Sequence, residues 1–154
     1  MIKALGSRIH LDTFDTDIAY DFYDCVSDLI NTDMVHKLSL YTQHMDVTRF
    51  EHSLGVAYFS FIICRRLGLD SRAAARGGLL HDLFFYDRLE VELPESHSAH
   101  HPKVALENAE SLCELSDKER DIILNHMWPL AGLPRCKESM IVSAVDKYCA
   151  TAEF

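Results

Sequence analysis

Histidine and aspartate side chains that can bind a metal ion are spread along the chain. Six of them fall in or at the end of a predicted helix, and they come from five different helices: His52, His81, Asp82, His101, His126 and Asp146. A helical bundle builds a metal site from inward side chains on facing helices in this way. The set offers nitrogen and oxygen without sulfur, which suits Mn, Fe, Co, Ni, Zn or Mg. We therefore predict a centre for one or two divalent metal ions.

An adjacent His-Asp pair lies at the middle of this set. The apolar run Gly77-Gly78-Leu79-Leu80 leads directly into His81-Asp82. Each glycine inside a helix costs roughly 1 kcal/mol relative to alanine, so we expect close packing against another helix or close approach to a site. Two cations about 3.5–4 Å apart need a bridging carboxylate. Asp82 is the natural candidate for that bridge.

Apolar spacing and capping signals predict about six or seven helices in a single all-α bundle. The predicted helices cover residues 15–29, 33–43, 48–67, 70–82, 102–115, 116–126 and 137–152. Two start at capping-box pairs, Thr48 with Glu51 and Ser116 with Glu119. Residues 1–14 are predicted to be an irregular lead-in with Asp15 or Thr16 as the first cap, and residues 84–100 to be a loop over the site. No segment of appreciable length has the alternating pattern of a strand.

The composition is that of one globular domain over residues 1–154. A net charge of -9 argues against sequence-independent binding to double-stranded nucleic acid. It still permits a small phosphorylated substrate, since a metal can supply positive charge locally. The five cysteines form no C-x-x-C pair, which argues against a disulfide framework. With neither a signal-peptide pattern nor an apolar run long enough to span a bilayer, a cytoplasmic protein without a membrane partner is expected, and a homodimer stays open.

These motifs resemble the HD-domain superfamily of metal-dependent phosphohydrolases. The order of His52, His81-Asp82 and Asp146 is similar to its H…HD…D signature. Three contexts match in turn: Arg49-Phe50-Glu51-His52-Ser53, Gly78-Leu79-Leu80-His81-Asp82 and Val145-Asp146-Lys147. The likeness covers about residues 46–152. His101-Pro102 and His126 are similar to the extra histidines of two-metal subgroups such as the HD-GYP phosphodiesterases.

The chain departs from the HD-GYP pattern in two places. Leu83-Phe84-Phe85 follows the His-Asp pair, so the lysine of the HD-I-G-K run is absent. The Gly-Tyr-Pro motif is also missing after His126. The resemblance therefore does not imply cyclic dinucleotide hydrolysis and is closer to small, stand-alone bacterial HD hydrolases.

The resemblance implies a ligand set and a reaction. One metal would be held by His52, His81, Asp82 and Asp146, and a second by Asp82, His101 and His126. The adjacent His100 is an alternative to His101. The implied reaction is hydrolysis of a phosphate ester of a nucleotide or other small metabolite, either a monoester or a diester, by metal-activated water.

Four other side chains are candidates to act on that substrate. Arg49, one turn before His52, is placed to donate to a phosphate oxygen. Lys103 and Lys147 are further candidates for phosphate binding. Asp87, on the loop after the pair, is a candidate to orient water or protonate the leaving group.

Two other functions are open on the same residues. Some HD-fold proteins hold two irons with the same histidine and aspartate ligands and activate oxygen. The missing lysine after the pair also allows a non-catalytic, metal-bound nucleotide sensor. Iron content would distinguish the first, and nucleotide binding without turnover the second.

Overall fold

Seven α-helices make up most of the chain in the computed structural model, which describes residues 3–4, 9–10 and 16–153. They are α1 (Thr16–Ile30), α2 (Asp33–His36), α3 (Arg49–Arg66), α4 (Ser71–Leu80), α5 (His97–Leu112), α6 (Asp117–Asn125) and α7 (Lys137–Ala152). A 3-10 helix covers Lys37–Leu40. Two antiparallel strand pairs join β1 (Lys3–Ala4) to β2 (Ile9–His10) and β3 (Thr42–His44) to β4 (Val47–Thr48). The all-α prediction is confirmed.

Helix α3 lies at the centre of the bundle. It begins at the predicted capping box, in which Thr48 Oγ1 accepts from the Glu51 amide and Glu51 Oε2 accepts from the Thr48 amide. It ends before Gly68, whose φ of 69° suits a residue without a side chain. Its side chains are buried over most of its circumference, and it packs against α4 and α7.

Two glycines allow α4 to approach its neighbours. A Cβ atom on Gly78 would lie 2.9 Å from the Ala57 Cα on α3, and one on Gly77 would lie 2.7 Å from Ile122 Cγ2 on α6. The close packing predicted for these glycines is confirmed. It places the end of α4, and the His-Asp pair that follows, next to both helices.

Apolar side chains form two clusters around α3. One joins it to α1, α4 and α5, with the Phe22 ring set edge-on to Tyr58 and Phe61 at centroid distances of 5.1 and 5.6 Å. The other joins it to α4, α6 and α7. Together, the two clusters pack the five helices that carry the predicted ligands against one another. Within the described residues, no helix is long and apolar enough to cross a membrane.

Two element boundaries differ from the predictions. The helix predicted over residues 33–43 stops at Leu40, and the chain then forms the β3–β4 hairpin, which turns at Met45 with a φ of 51°. Helix α5 begins at His97, so Pro102 lies inside it and the loop is shorter than predicted. The earlier start stacks the His97 and His101 rings at 4.3 Å, one helical turn apart. Most of the predicted lead-in, with Asp15, lies outside the described residues.

Candidate metal centre

The six predicted ligands converge from five helices. His52 lies on α3, His81 caps the C-terminus of α4 with Asp82 beside it, and His101 lies on α5. His126 caps the C-terminus of α6, and Asp146 lies on α7. All six are buried.

The first group of donors surrounds Asp146. Its Oδ1 lies 2.9 Å from His52 Nε2 and 3.4 Å from His81 Nε2. The same His81 nitrogen lies 3.4 Å from Asp82 Oδ2. Two imidazoles and two carboxylates therefore face one point.

The second group uses the other oxygen of Asp82. Asp82 Oδ1 lies 3.2 Å from His101 Nε2 and 3.4 Å from His126 Nε2. Those two nitrogens lie 2.9 Å from each other. Asp82 thus contributes one oxygen to each group, which is the arrangement a bridging carboxylate requires.

The ring orientation of three histidines is fixed by backbone carbonyls. The Nδ1 atoms of His81, His101 and His126 lie 2.7, 2.7 and 2.8 Å from the carbonyl oxygens of Gly78, His97 and Ile123. Because a carbonyl can only accept, each Nδ1 carries the hydrogen, and in the neutral ring Nε2 presents its lone pair to the centre.

These lone pairs make the cluster suited to a cation. Within the part of the chain that the structure describes, His81 Nε2 and Asp82 Oδ1 are buried without a hydrogen-bond partner. The facing Nε2 atoms of His101 and His126 would repel each other unless a proton or a cation lies between them. Buried polar atoms without partners are costly, and divalent metals bind this kind of donor set. The residues present therefore fit a metal.

The charges of the ligands are set by the cluster itself. Burial would raise the pKa of Asp82 and of Asp146, but the facing histidines outweigh it and hold both below the usual carboxyl range. Burial opposes the charge of His52, whereas its contacts with Asp146 and Glu153 raise its pKa to about 10. In the metal-free protein His52 is therefore a cation between two carboxylates.

A glutamine on the β3–β4 hairpin contacts Asp82. Gln43 Nε2 donates to Asp82 Oδ2 at 2.8 Å, and Arg49 Nε donates to Gln43 Oε1 at 3.1 Å. Arg49 also donates to the carbonyls of Phe84 and Tyr86 at 2.7 and 3.3 Å. Gln43 is not among the predicted site residues, because the sequence pattern predicts a helix through this position.

Two other residues at the site were also missed. Glu153, which caps the C-terminus of α7, is buried, and its Oε2 lies 2.9 Å from His52 Nδ1. The His44 ring lies edge-on to His52 at 5.7 Å. No sequence motif marks either position.

A pocket of about 550 Å³ opens onto the centre. Four predicted ligands line it: Asp82, His101, His126 and Asp146. Apolar walls come from Phe84, Leu89, Met127 and Leu130. A volume of this size is typical of small-molecule sites.

The predicted substrate-binding residues are distributed unevenly around this pocket. Arg49, Asp87 and Lys147 line it, but Lys103 does not; it pairs with Glu95 at 2.8 Å on the surface. Lys147 Nζ already donates to Ser143 Oγ and to the carbonyls of His126 and Ser143. The roles of these four residues in substrate binding or catalysis stay predictions.

Two residues adjacent to predicted site residues, His100 and Arg88, occupy different environments. His101 faces the centre, whereas His100 turns toward Glu95 at 3.5 Å. Arg88, beside Asp87, lines the pocket and has no hydrogen bond or ion pair within the described chain. The geometry thus favours His101 as the ligand and adds Arg88 as a pocket cation.

A profile described as the HD domain matches residues 49–151. The chain belongs to the HD-domain family. Membership places the chain in the HD superfamily of metal-dependent phosphohydrolases, and its histidine and aspartate clusters are candidate divalent-metal ligands.

Among known proteins, the HD domain is similar to Ribonuclease Y of Pseudothermotoga lettingae. The two are 33% identical over 100 residues, which is 65% of this chain and 18% of the relative. The chain thus spans less than a fifth of that protein. No solved structure matches significantly.

Proposed function

We propose that this HD domain is a two-metal phosphohydrolase that cleaves a phosphate ester of a nucleotide or other small metabolite. The observation that carries the proposal is the position of Asp82. One of its oxygens faces His81 and the other faces both His101 and His126. A carboxylate between two histidine groups is the element a binuclear site needs.

Each ion would have its own histidines. His52, His81 and Asp146 with Asp82 Oδ2 would hold one, and His101 and His126 with Asp82 Oδ1 the other. When bound, such ions lower the pKa of a coordinated water and neutralise charge on phosphate oxygens. The donor set suits Mn, Fe, Co, Ni or Zn, and Mg less well because of its imidazoles.

The chain supplies further groups for the substrate. Arg88 lines the pocket and has no hydrogen-bond partner among the described residues, so its guanidinium is available to bind a phosphate oxygen. Arg49 uses three of its five donors on Gln43 and two loop carbonyls, so its main part is to hold the loop after Asp82 in place. Asp87 remains a candidate for proton transfer to the leaving group.

The size and charge of the site favour a small substrate. The pocket of about 550 Å³ matches a small molecule, and its apolar wall offers a face for a base or another planar group. The net charge of -9 disfavours a long polyanion. These features favour a nucleotide-sized ester over the RNA substrate that the name of the relative describes.

Hydrolysis by the loaded protein tests the proposal. The protein would be stripped of metal, reloaded with Mn²⁺ and incubated with nucleoside monophosphates, sugar phosphates and aryl phosphate mono- and diesters. We expect release of phosphate or alcohol from at least one class, its loss in Asp82→Asn, and its retention in His100→Ala. Protein that binds two ions and cleaves none of these esters would refute the proposed phosphohydrolase activity. Two irons per chain with colour lost on chelation would indicate an oxygenase instead.

A further inference from the structure

Glu153 is a buried carboxylate beside the metal centre. It caps the C-terminus of α7, and its side chain has no accessible surface, although glutamate side chains are ordinarily exposed to water. Its Oε2 lies 2.9 Å from His52 Nδ1, and its Oε1 is buried with no hydrogen-bond partner among residues 3–4, 9–10 and 16–153. Burial of a carboxylate with one oxygen unsatisfied is unfavourable, so the contact with His52 needs an explanation.

A second buried glutamate on the same helix provides a comparison. Glu138 accepts from the Asp70 amide and from Lys118 Nζ, both at 2.9 Å. Its burial is thus offset by an ion pair and by a bond to the backbone before α4. Glu153 has no such structural partner among the described residues; its hydrogen bond is to His52.

His52 also differs from the other histidines of the centre. The other three donate Nδ1–H to backbone carbonyls, whereas His52 faces a carboxylate. A carboxylate behind a metal-binding histidine fixes the orientation of the ring and makes its other nitrogen a stronger donor to the ion. Among the four histidines of the described centre, His52 alone has a carboxylate behind its ring.

We propose that Glu153 is a positioning residue of the metal centre. Its carboxylate accepts the Nδ1–H of His52 and thereby aims Nε2 at the ion that His52 shares with His81 and Asp146. The inference rests on the metal centre of the proposed function. It assigns to Glu153 an effect on one ion of the pair, since His101 and His126 do not contact it.

Direct binding of a further ion by Glu153 is less consistent with the geometry. The donor atoms of His44, His52 and Glu153 lie within 4.8 Å of one another. An ion there would take His52 Nδ1 while Nε2 serves the main centre, so the ring would have to lose both of its protons. A hydrogen bond from Nδ1 needs no such deprotonation.

Metal affinity measured by calorimetry tests this role. Mn²⁺ would be titrated into metal-free His126→Ala protein, which keeps the His52 group and has lost a ligand of the other. In that background, Glu153→Ala should bind Mn²⁺ about 10–100-fold more weakly. Glu153→Gln should weaken binding less, because its amide oxygen still accepts from Nδ1. Glu138→Gln, a loss of a buried carboxylate on the same helix, should leave the affinity unchanged.

A magnetic-resonance signal provides a second readout. In the zinc-loaded protein the Nδ1 proton of His52 should give a downfield signal that survives in Glu153→Gln and is lost in Glu153→Ala. Wild-type Mn²⁺ affinity in folded Glu153→Ala would overturn the proposal. An equal loss of Mn²⁺ affinity in Glu138→Gln would also overturn it. So would a third bound ion in the wild-type protein that is absent from Glu153→Ala. Failure of the wild-type protein to bind any Mn²⁺ would overturn the metal centre itself.

Discussion

The substitution Gln43→Leu removes the hydrogen bond to the bridging carboxylate, together with the acceptor of the bond from Arg49 Nε. It removes the donor 2.8 Å from Asp82 Oδ2 and leaves a side chain of similar size on β3. Hydrogen bonds to charged groups contribute about 1.5–3 kcal/mol, and groups that support metal ligands change affinity by about 10–100-fold. These two estimates agree, since a tenfold change is about 1.4 kcal/mol. We therefore expect each ion to bind about 10–100-fold more weakly.

Both ions should weaken in this variant because Asp82 contributes an oxygen to each group. That result differs from the one expected for Glu153→Ala, which should affect a single ion. Mn²⁺ calorimetry on the metal-free protein would measure it, with thermal unfolding to show that the variant is folded. Thr42→Val, on the same strand and also at the pocket, should bind as the wild type does. Folded Gln43→Leu protein with wild-type affinity for both ions would refute the role of the hydrogen bond.

Three further perturbations follow from the structure. Gly78→Ala should lower the melting temperature, because the new Cβ would lie 2.9 Å from the backbone of Ala57. The cost of overpacking, about 1–3 kcal/mol, exceeds the roughly 1 kcal/mol gained in helix propensity. A higher melting temperature would contradict this. Arg88→Ala should raise KM for the phosphate ester more than it lowers kcat, and an unchanged KM would count against phosphate binding by Arg88. Burial opposes the charge of His52, but its carboxylate partners raise its pKa from 6.5 to about 10. The contribution of charged His52 to the stability of the metal-free protein is therefore fully present below pH 6.5 and is lost as the pH rises through 10. Urea unfolding across this range should show a falling free energy of unfolding, and a rise would exclude a charged His52.

The ligand-bearing helices could be predicted because their signals are local. The capping box at Thr48 and Glu51 starts α3 at the predicted residue, and α4 ends next to His81, within two residues of the predicted end. The close approach at Gly78 follows from the cost of glycine in a helix. Local rules therefore placed most of the predicted ligands on or at the end of the correct helices, whereas His101 was predicted just before a helix and lies inside α5.

The supporting residues could not be predicted because their roles depend on tertiary packing. Gln43 lies on a three-residue strand whose sequence continues the preceding helical pattern, so no period marks the hairpin. Glu153 follows α7, where a glutamate is ordinarily solvated, and its side chain is buried against His52 where α7 packs against α3. The start of α5 was misplaced because Pro102 suits a first helical turn, whereas the turn before it is formed by His97 and the residues that follow.

The number of ions per chain tests the binuclear centre most directly. Elemental analysis of Mn²⁺-loaded protein after gel filtration should give two ions for the wild type and for His100→Ala, but one for His126→Ala. This outcome would show that His126 serves a second ion, as its position 3.4 Å from Asp82 Oδ1 predicts. One ion in the wild type, unchanged in His126→Ala, would contradict the two-metal account.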